Sequence, residues 1–176
     1  LESKLSGFNA LAPAGKPLAQ DTAPRLAKGP AYGAIGNRQS PIANALDWPT
    51  YRRDTARSGH TDAAVPTALK ESWKTALGGR LSSPVVAAGR LCVASVDRQL
   101  VTALEASTGA KLWQFAAGGR VDSPPTVWRG RVLFGSADGY VYCLRASDGA
   151  LAWRFRAAPH DRRLMSFEQL ESVWPV

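Results

Sequence analysis

Residues 144–153 read LRASDGALAW, and forty positions earlier residues 104–113 read LEASTGAKLW. Each holds a polar residue followed by Gly, then an apolar run ending in Trp. Either the turn carries a carboxylate poised for chemistry, or one structural unit is used twice. The neighbourhood decides. Trp73, Trp113 and Trp153 are spaced by 40 residues each time. GGRLSSP (78–84) returns as GGRVDSP (118–124), and GRLCVAS (89–95) returns as GRVLFGS (130–136). The second return is one residue late because Pro125 is extra, and the shift is recovered in the next turn. Agreement this dense, with slippage confined to turns, is internal repetition. Thr108 stands where Asp148 stands, so the repeat does not need a carboxylate there.

Each repeat divides into four short apolar segments. In the second copy they fall near 124–128, 131–136, 140–145 and 150–155. RG, ADG and SDG separate them, turn chemistries with Gly where a left-handed backbone is wanted. The segments are rich in Val, Leu, Phe, Tyr and Trp, residues that favour strands. RVLFGS and YVYCLRA are apolar on both alternating faces, as in a strand covered on both sides. A four-stranded antiparallel sheet stacked between similar sheets fits, and a repeat of ~40 residues has the size of a propeller blade. Helix-pair solenoids of similar period need long 3.6-residue patterns, which Gly or Pro interrupts here every few residues. The expected fold is all-β: a β-propeller fragment of about two four-stranded blades plus parts of flanking blades.

The blades are expected at 79–118 and 119–158. Residues 1–46, rich in Ala, Pro, Gly and Lys, show no sustained period and read as a linker or the tail of an upstream region. GPAYGAIG lacks the spacing of a phosphate loop. Residues 47–78, opening on DWPTYRRDTARSGHT, read as a propeller lead-in segment and an outer strand containing Trp73. Residues 159–176, ending in LESVWPV, read as the start of the next blade. Two blades leave apolar faces open, so this chain alone is expected to be sticky or only partly stable.

With 176 residues and 45% hydrophobic content, the chain can bury a core. The net charge of +8 is scattered. Small clusters occur at Arg52, Arg53 and Arg57, and at Arg154, Arg156, Arg162 and Arg163. Neither is a dense basic block, and a solvated surface is the expected reading, with no nucleic-acid partner. No apolar run approaches the ~20 residues of a membrane helix, so no transmembrane segment is expected.

Candidate chemistry is sparse. Cys92 and Cys143 share no metal-type spacing and are expected as free buried thiols, a disulfide staying open where the compartment is oxidising. His60 and His160 sit in polar loops, with no zinc pattern around them. FGSADG is not a nucleophile elbow, because its Ser follows Gly directly. Asp138 and Asp148 read as turn-forming residues. Glu168 and Glu171 read as solvated, in a loop or short helix. No catalytic, cofactor-binding or metal-binding residue is assigned.

ALEASTGAKLW (103–113) resembles the tryptophan-docking motif of quinoprotein dehydrogenase-type propellers, Ala-x-Asp-x-x-Thr-Gly-Lys-x-x-Trp. Ala103, Thr108, Gly109 and Trp113 match; Glu105 replaces the Asp and Ala110 the Lys. CLRASDGALAW (143–153) keeps Gly149 and Trp153 and departs at Cys143, Arg145, Asp148 and Ala150. The repeat thus resembles the pyrroloquinoline-quinone-like (PQQ-like) β-propeller repeat, shared by those dehydrogenases and by the non-enzymatic outer-membrane assembly lipoprotein BamB. The match looks closer still to PQQ-binding-like propeller proteins of planctomycete-type bacteria, which are longer, so the chain is expected to be a fragment.

The resemblance implies that each motif Trp packs onto the adjacent blade. It also implies a periplasmic or envelope-associated location. Its quinone-binding members use adjacent cysteines, a catalytic Asp and calcium-ligating residues. No adjacent cysteine pair exists here, so no cofactor is expected in this chain, PQQ being open only for a full-length protein. The expected role is a non-catalytic scaffold or protein-interaction module, partnered by a protein or by further blades. The alternative is part of a quinoprotein oxidoreductase whose catalytic residues lie elsewhere.

Overall fold

A computed structural model describes residues 21–34, 46–166 and 168–176. Among them every regular element is a strand: β1 (Leu26–Lys28), β2 (Val85–Ala87), β3 (Arg90–Ser95), β4 (Leu100–Glu105), β5 (Lys111–Ala116), β6 (Thr126–Trp128), β7 (Arg131–Gly135), β8 (Tyr140–Arg145), β9 (Leu151–Arg156), β10 (Arg163–Ser166) and β11 (Gln169–Ser172). The fold is a partial β-propeller.

The first blade is the antiparallel meander β2-β3-β4-β5. The second is β6-β7-β8-β9, with β1 added beyond β9 as a fifth strand. The likeness extends to an irregularity. The β4–β5 register shifts between Ala103 and Leu104, and the β8–β9 register shifts between Cys143 and Leu144. Bulges twist a strand locally, and this one falls at the same point of the repeat in both blades. The core lies between the two sheets, with Val85, Val101, Val121, Val132 and Leu144 almost fully buried. Cys92 and Cys143 are free, buried, and in different sheets.

Segment 47–50 runs along the innermost strands. Trp48 bridges Val86 of β2. Pro49 O accepts the Val127 N–H at 2.7 Å, and the Thr50 and Thr126 hydroxyls lie 2.9 Å apart. One stretch therefore ties β2 to β6.

Three segments differ from their sequence reading. Residues 26–28, expected inside a linker or the tail of an upstream region, form a strand, because the β9 edge supplies the ladder that this Pro- and Gly-flanked stretch cannot make alone. Residues 1–20 and 35–45 of that expected linker lie outside the described residues. Residues around Trp73 were expected as an outer strand, yet 66–80 carries no strand; no neighbouring strand pairs with it among the described residues. Within residues 159–176, expected as the start of the next blade, 163–166 and 169–172 pair as a two-stranded hairpin apart from the two blade sheets. The chain then runs beside the β7–β8 turn, where Ser172 N donates to Ala137 O at 2.7 Å.

Candidate functional site

The β4–β5 and β8–β9 turns are built alike. Gly109 N donates to Glu105 O at 2.8 Å, and Gly149 N to Arg145 O at 2.9 Å. Both glycines are left-handed, with φ of 71° and 73°. The residue before Gly caps the turn. Thr108 Oγ1 accepts the Ala110 N–H at 3.3 Å, and Asp148 Oδ1 accepts the Ala150 N–H at 3.1 Å. A hydroxyl and a carboxylate do the same job here. Asp148 also takes two hydrogen bonds from Arg145, at 2.9 and 2.5 Å. That guanidinium holds the Asp148 carboxyl below its ordinary range.

Trp113, from the middle of β5, crosses to the second blade and is 8% exposed. Its Nε1–H donates to Ala146 O at 3.0 Å. Its ring lies over Gly149, where a Cβ would come within 2.7 Å of the indole. One repeat earlier, Trp73 Nε1–H donates to Ala106 O at 3.0 Å, and its ring lies over Gly109. Thr75 Oγ1 adds a bond to Gly109 O at 2.8 Å. The positions singled out in the sequence thus meet as Trp73–Gly109 and Trp113–Gly149. Ala103 is fully buried opposite Trp113 in the ladder. Trp153 meets no glycine turn among the described residues. It lies half-buried in an open groove with Leu26, Tyr32 and Phe155.

Further along the interface, Phe115 of β5 packs edge-on against Phe134 and Tyr142, and those two rings stack 5.2 Å apart. The Tyr142 hydroxyl donates to Asp138 Oδ2 at 2.5 Å and accepts the Gly118 N–H at 3.2 Å. Asp138 Oδ1 accepts the Tyr140 N–H at 3.1 Å. Asp138 is therefore the turn residue the sequence suggested, but it also anchors the tyrosine, which ties the exit of the first blade to the second. Burial, and then the Asp138 hydrogen bond, push Tyr142 up to about 12.

A chain of charges links successive segments. Arg80 reaches Asp97 at 3.4 Å and Asp122 at 3.7 Å; Arg120 reaches Asp122 at 3.4 Å and Glu171 at 2.9 Å. Sequence reasoning missed this, although the repeated GGR that places both arginines was its visible signal. Glu171, expected in a solvated loop or short helix with Glu168, is instead in a strand and buried against Arg120. Glu168 sits in the hairpin turn with φ of 62°.

Among the described residues, no three His, Cys, Asp or Glu side chains converge as a metal site. Burial pushes the Cys92 thiol up to about 12, away from the reactive thiolate. His60 is exposed beside Asp62 at 3.1 Å, and His160 packs on Trp174. No helix among the described residues is long and apolar enough to cross a membrane.

No curated protein sequence matches the chain. Among solved structures, BamB from Moraxella catarrhalis shares 26% identity over 42% of this chain, with a TM-score of 0.37. The quinohemoprotein alcohol dehydrogenases of Pseudomonas putida HK5 and Comamonas testosteroni share 20% and 22% identity over 77% and 72% of the chain. Their TM-scores of 0.55 and 0.54 show the common fold. The chain covers 22% of each of these three proteins. A family model described as outer membrane protein assembly factor BamB matches residues 56–170. That span takes in both blades and both Trp–Gly contacts, and the chain accordingly belongs to this family of PQQ-like β-propeller repeats.

Proposed function

We propose that this chain is a non-catalytic module of a bacterial envelope protein, serving as a scaffold or protein-interaction domain. The observation that carries this reading is the doubled contact, Trp73 on Gly109 and Trp113 on Gly149, with the same indole hydrogen bond each time. Residues at these repeated positions are spent on joining blades. The buried polar groups follow the same pattern: Asp138 and Tyr142 hold Gly118, and Arg120 holds Glu171. The domain reading of blades at 79–118 and 119–158 belongs to the same proposal.

A quinone with its calcium does not fit the described residues. The two cysteines are buried in separate sheets, and the carboxylates nearest the blade interface are committed to Tyr142 and arginines. Equilibrium dialysis of the whole chain against pyrroloquinoline quinone and calcium tests the reading. No saturable uptake is expected, and stoichiometric, tight uptake would overturn it.

A further inference from the structure

The two blades differ at one place that matters for binding. The outer edge of the second blade is covered by β1, whereas β5 ends its sheet among the described residues. We infer that the β5 edge is a docking site for an extended segment of a partner chain, of the pattern Arg-x-x-x-Gly. This rests on the reading of the chain as an interaction module and names the surface and the ligand chemistry.

The β9 edge shows what such an edge accepts. β1 pairs antiparallel, with Leu26 opposite Phe155 and Lys28 opposite Trp153. Arg156 N donates to Arg25 O at 2.8 Å, Gly29 N to Ala152 O at 2.8 Å, and Ala31 N to Leu151 O at 2.9 Å. The Arg25 guanidinium clasps the strand end, donating to Arg156 O at 2.8 Å and Ala157 O at 2.6 Å. Four residues on, Gly29 approaches the Leu151 carbonyl so closely that any Cβ would collide with it. Arg and Gly at that spacing are the fixed points of the fit.

The repeat carries the same acceptor onto β5. Ala116, Ala117, Leu112 and Lys111 stand at the positions of Arg156, Ala157, Ala152 and Leu151. The bulge is at the same place. Ala117 N donates inward to Gln99 O at 2.8 Å, as Ala157 N does to Gly139 O at 2.9 Å. Successive residues of a strand alternate their bonding sides, so the Ala116 N–H points off the free edge as that of Arg156 does. Lys111, Leu112, Gln114 and Ala116 are exposed, and Leu112 is 43% exposed where Ala152 is 2% exposed. A free strand edge is a template for pairing, and partner strands use such edges. One difference sets the specificity. Arg156, which pairs with Asp21 in β1's flank, is Ala116 on β5, so the partner needs no acid ahead of its Arg.

The test uses a labelled peptide of residues 21–34 as the probe, titrated into the full chain and followed by fluorescence anisotropy. Saturable one-to-one binding is expected. In the protein, Ala116→Pro removes the outward N–H and Leu112→Lys charges the edge. Each should weaken binding about tenfold or more, the second variant serving if the first does not fold. In the peptide, Gly29→Ala should weaken binding about tenfold, and Asp21→Asn should leave it within about twofold. No saturable binding overturns the inference. So does binding indifferent to both protein variants but lost with Asp21→Asn, which means invasion of the β9 edge. Quinone uptake in the dialysis would overturn the module reading, and peptide binding reports on the edge alone, so the two failures are separable.

Discussion

The Trp113 ring occupies the volume that any side chain at Gly149 would need. Gly149→Ala should therefore displace the indole as well as strain a backbone at φ 73°. Left-handed strain alone costs about 1–2 kcal/mol, and lost packing raises the expected total to about 3 kcal/mol. Urea denaturation gives the cost, and a red-shifted Trp emission reports the displacement.

Trp113 and Trp153 occupy equal positions in the repeat but unequal surroundings. Trp113→Ala should destabilise by about 3–5 kcal/mol, the range for deleting a large buried aromatic. Trp153→Ala should cost less, about 1–2 kcal/mol in this chain, since its ring is only half-buried, against Ala31, Cys143 and Ala152. Equal losses in parallel urea titrations would contradict the contact described.

The turn cap is interchangeable. Asp148→Thr keeps an oxygen for the Ala150 N–H and gives up only the exposed Arg145 pair, so stability should change by less than about 1 kcal/mol. Asp148→Ala removes the cap as well and should cost about 1 kcal/mol. Thermal melts of the two variants distinguish them.

Tyr142→Phe leaves the Gly118 N–H without its acceptor and Asp138 without its short bond. A loss of about 1–3 kcal/mol is expected. The pH dependence follows from sign. Tyr142 is raised from an ordinary 10.0 to about 12, so the folded protein keeps a proton that the unfolded chain has released. Its contribution is intact below pH 10 and is lost as pH rises toward 12. Stability measured across that window should fall less steeply in the Phe variant.

At the other end of the pH scale, the hydrogen bond from Arg156 holds Asp21 at about 2 against an ordinary 3.8. A depressed carboxyl stabilises above its unfolded value and loses that stabilisation as pH falls through its folded value. The N-terminal strand should loosen between about pH 4 and pH 2, seen as faster exchange of the Gly29 and Ala31 amides. Asp21→Asn should abolish the step.

The blades were readable in the sequence because each is local: four segments, Gly at the turns, and a Trp returning every 40 residues. Even the indifference of the turn to Thr108 or Asp148 could be seen by comparing copies. What escaped depends on distant partners. β1 has three residues and no alternation to show, and its strand character comes from the β9 edge far along the chain. Glu171 looked solvated because its arginine lies in the preceding repeat. The Tyr142 bond to Asp138 escaped for a different reason: the tyrosine looked like one more strand aromatic, and its hydroxyl role shows only when the turn folds over.

Trp73 gives the stack a direction. Each blade offers a glycine socket on one side and an indole knob on the other, a head-to-tail contact that would propagate into a filament if both ends stayed open. Trp73 fills the Gly109 socket from within the same chain. A Trp153 arriving from another molecule finds that socket taken, so the half-buried knob cannot start end-to-end growth through it. A segment without a strand of its own thus fills the Gly109 socket within the described residues, while the Trp153 knob meets no such socket there.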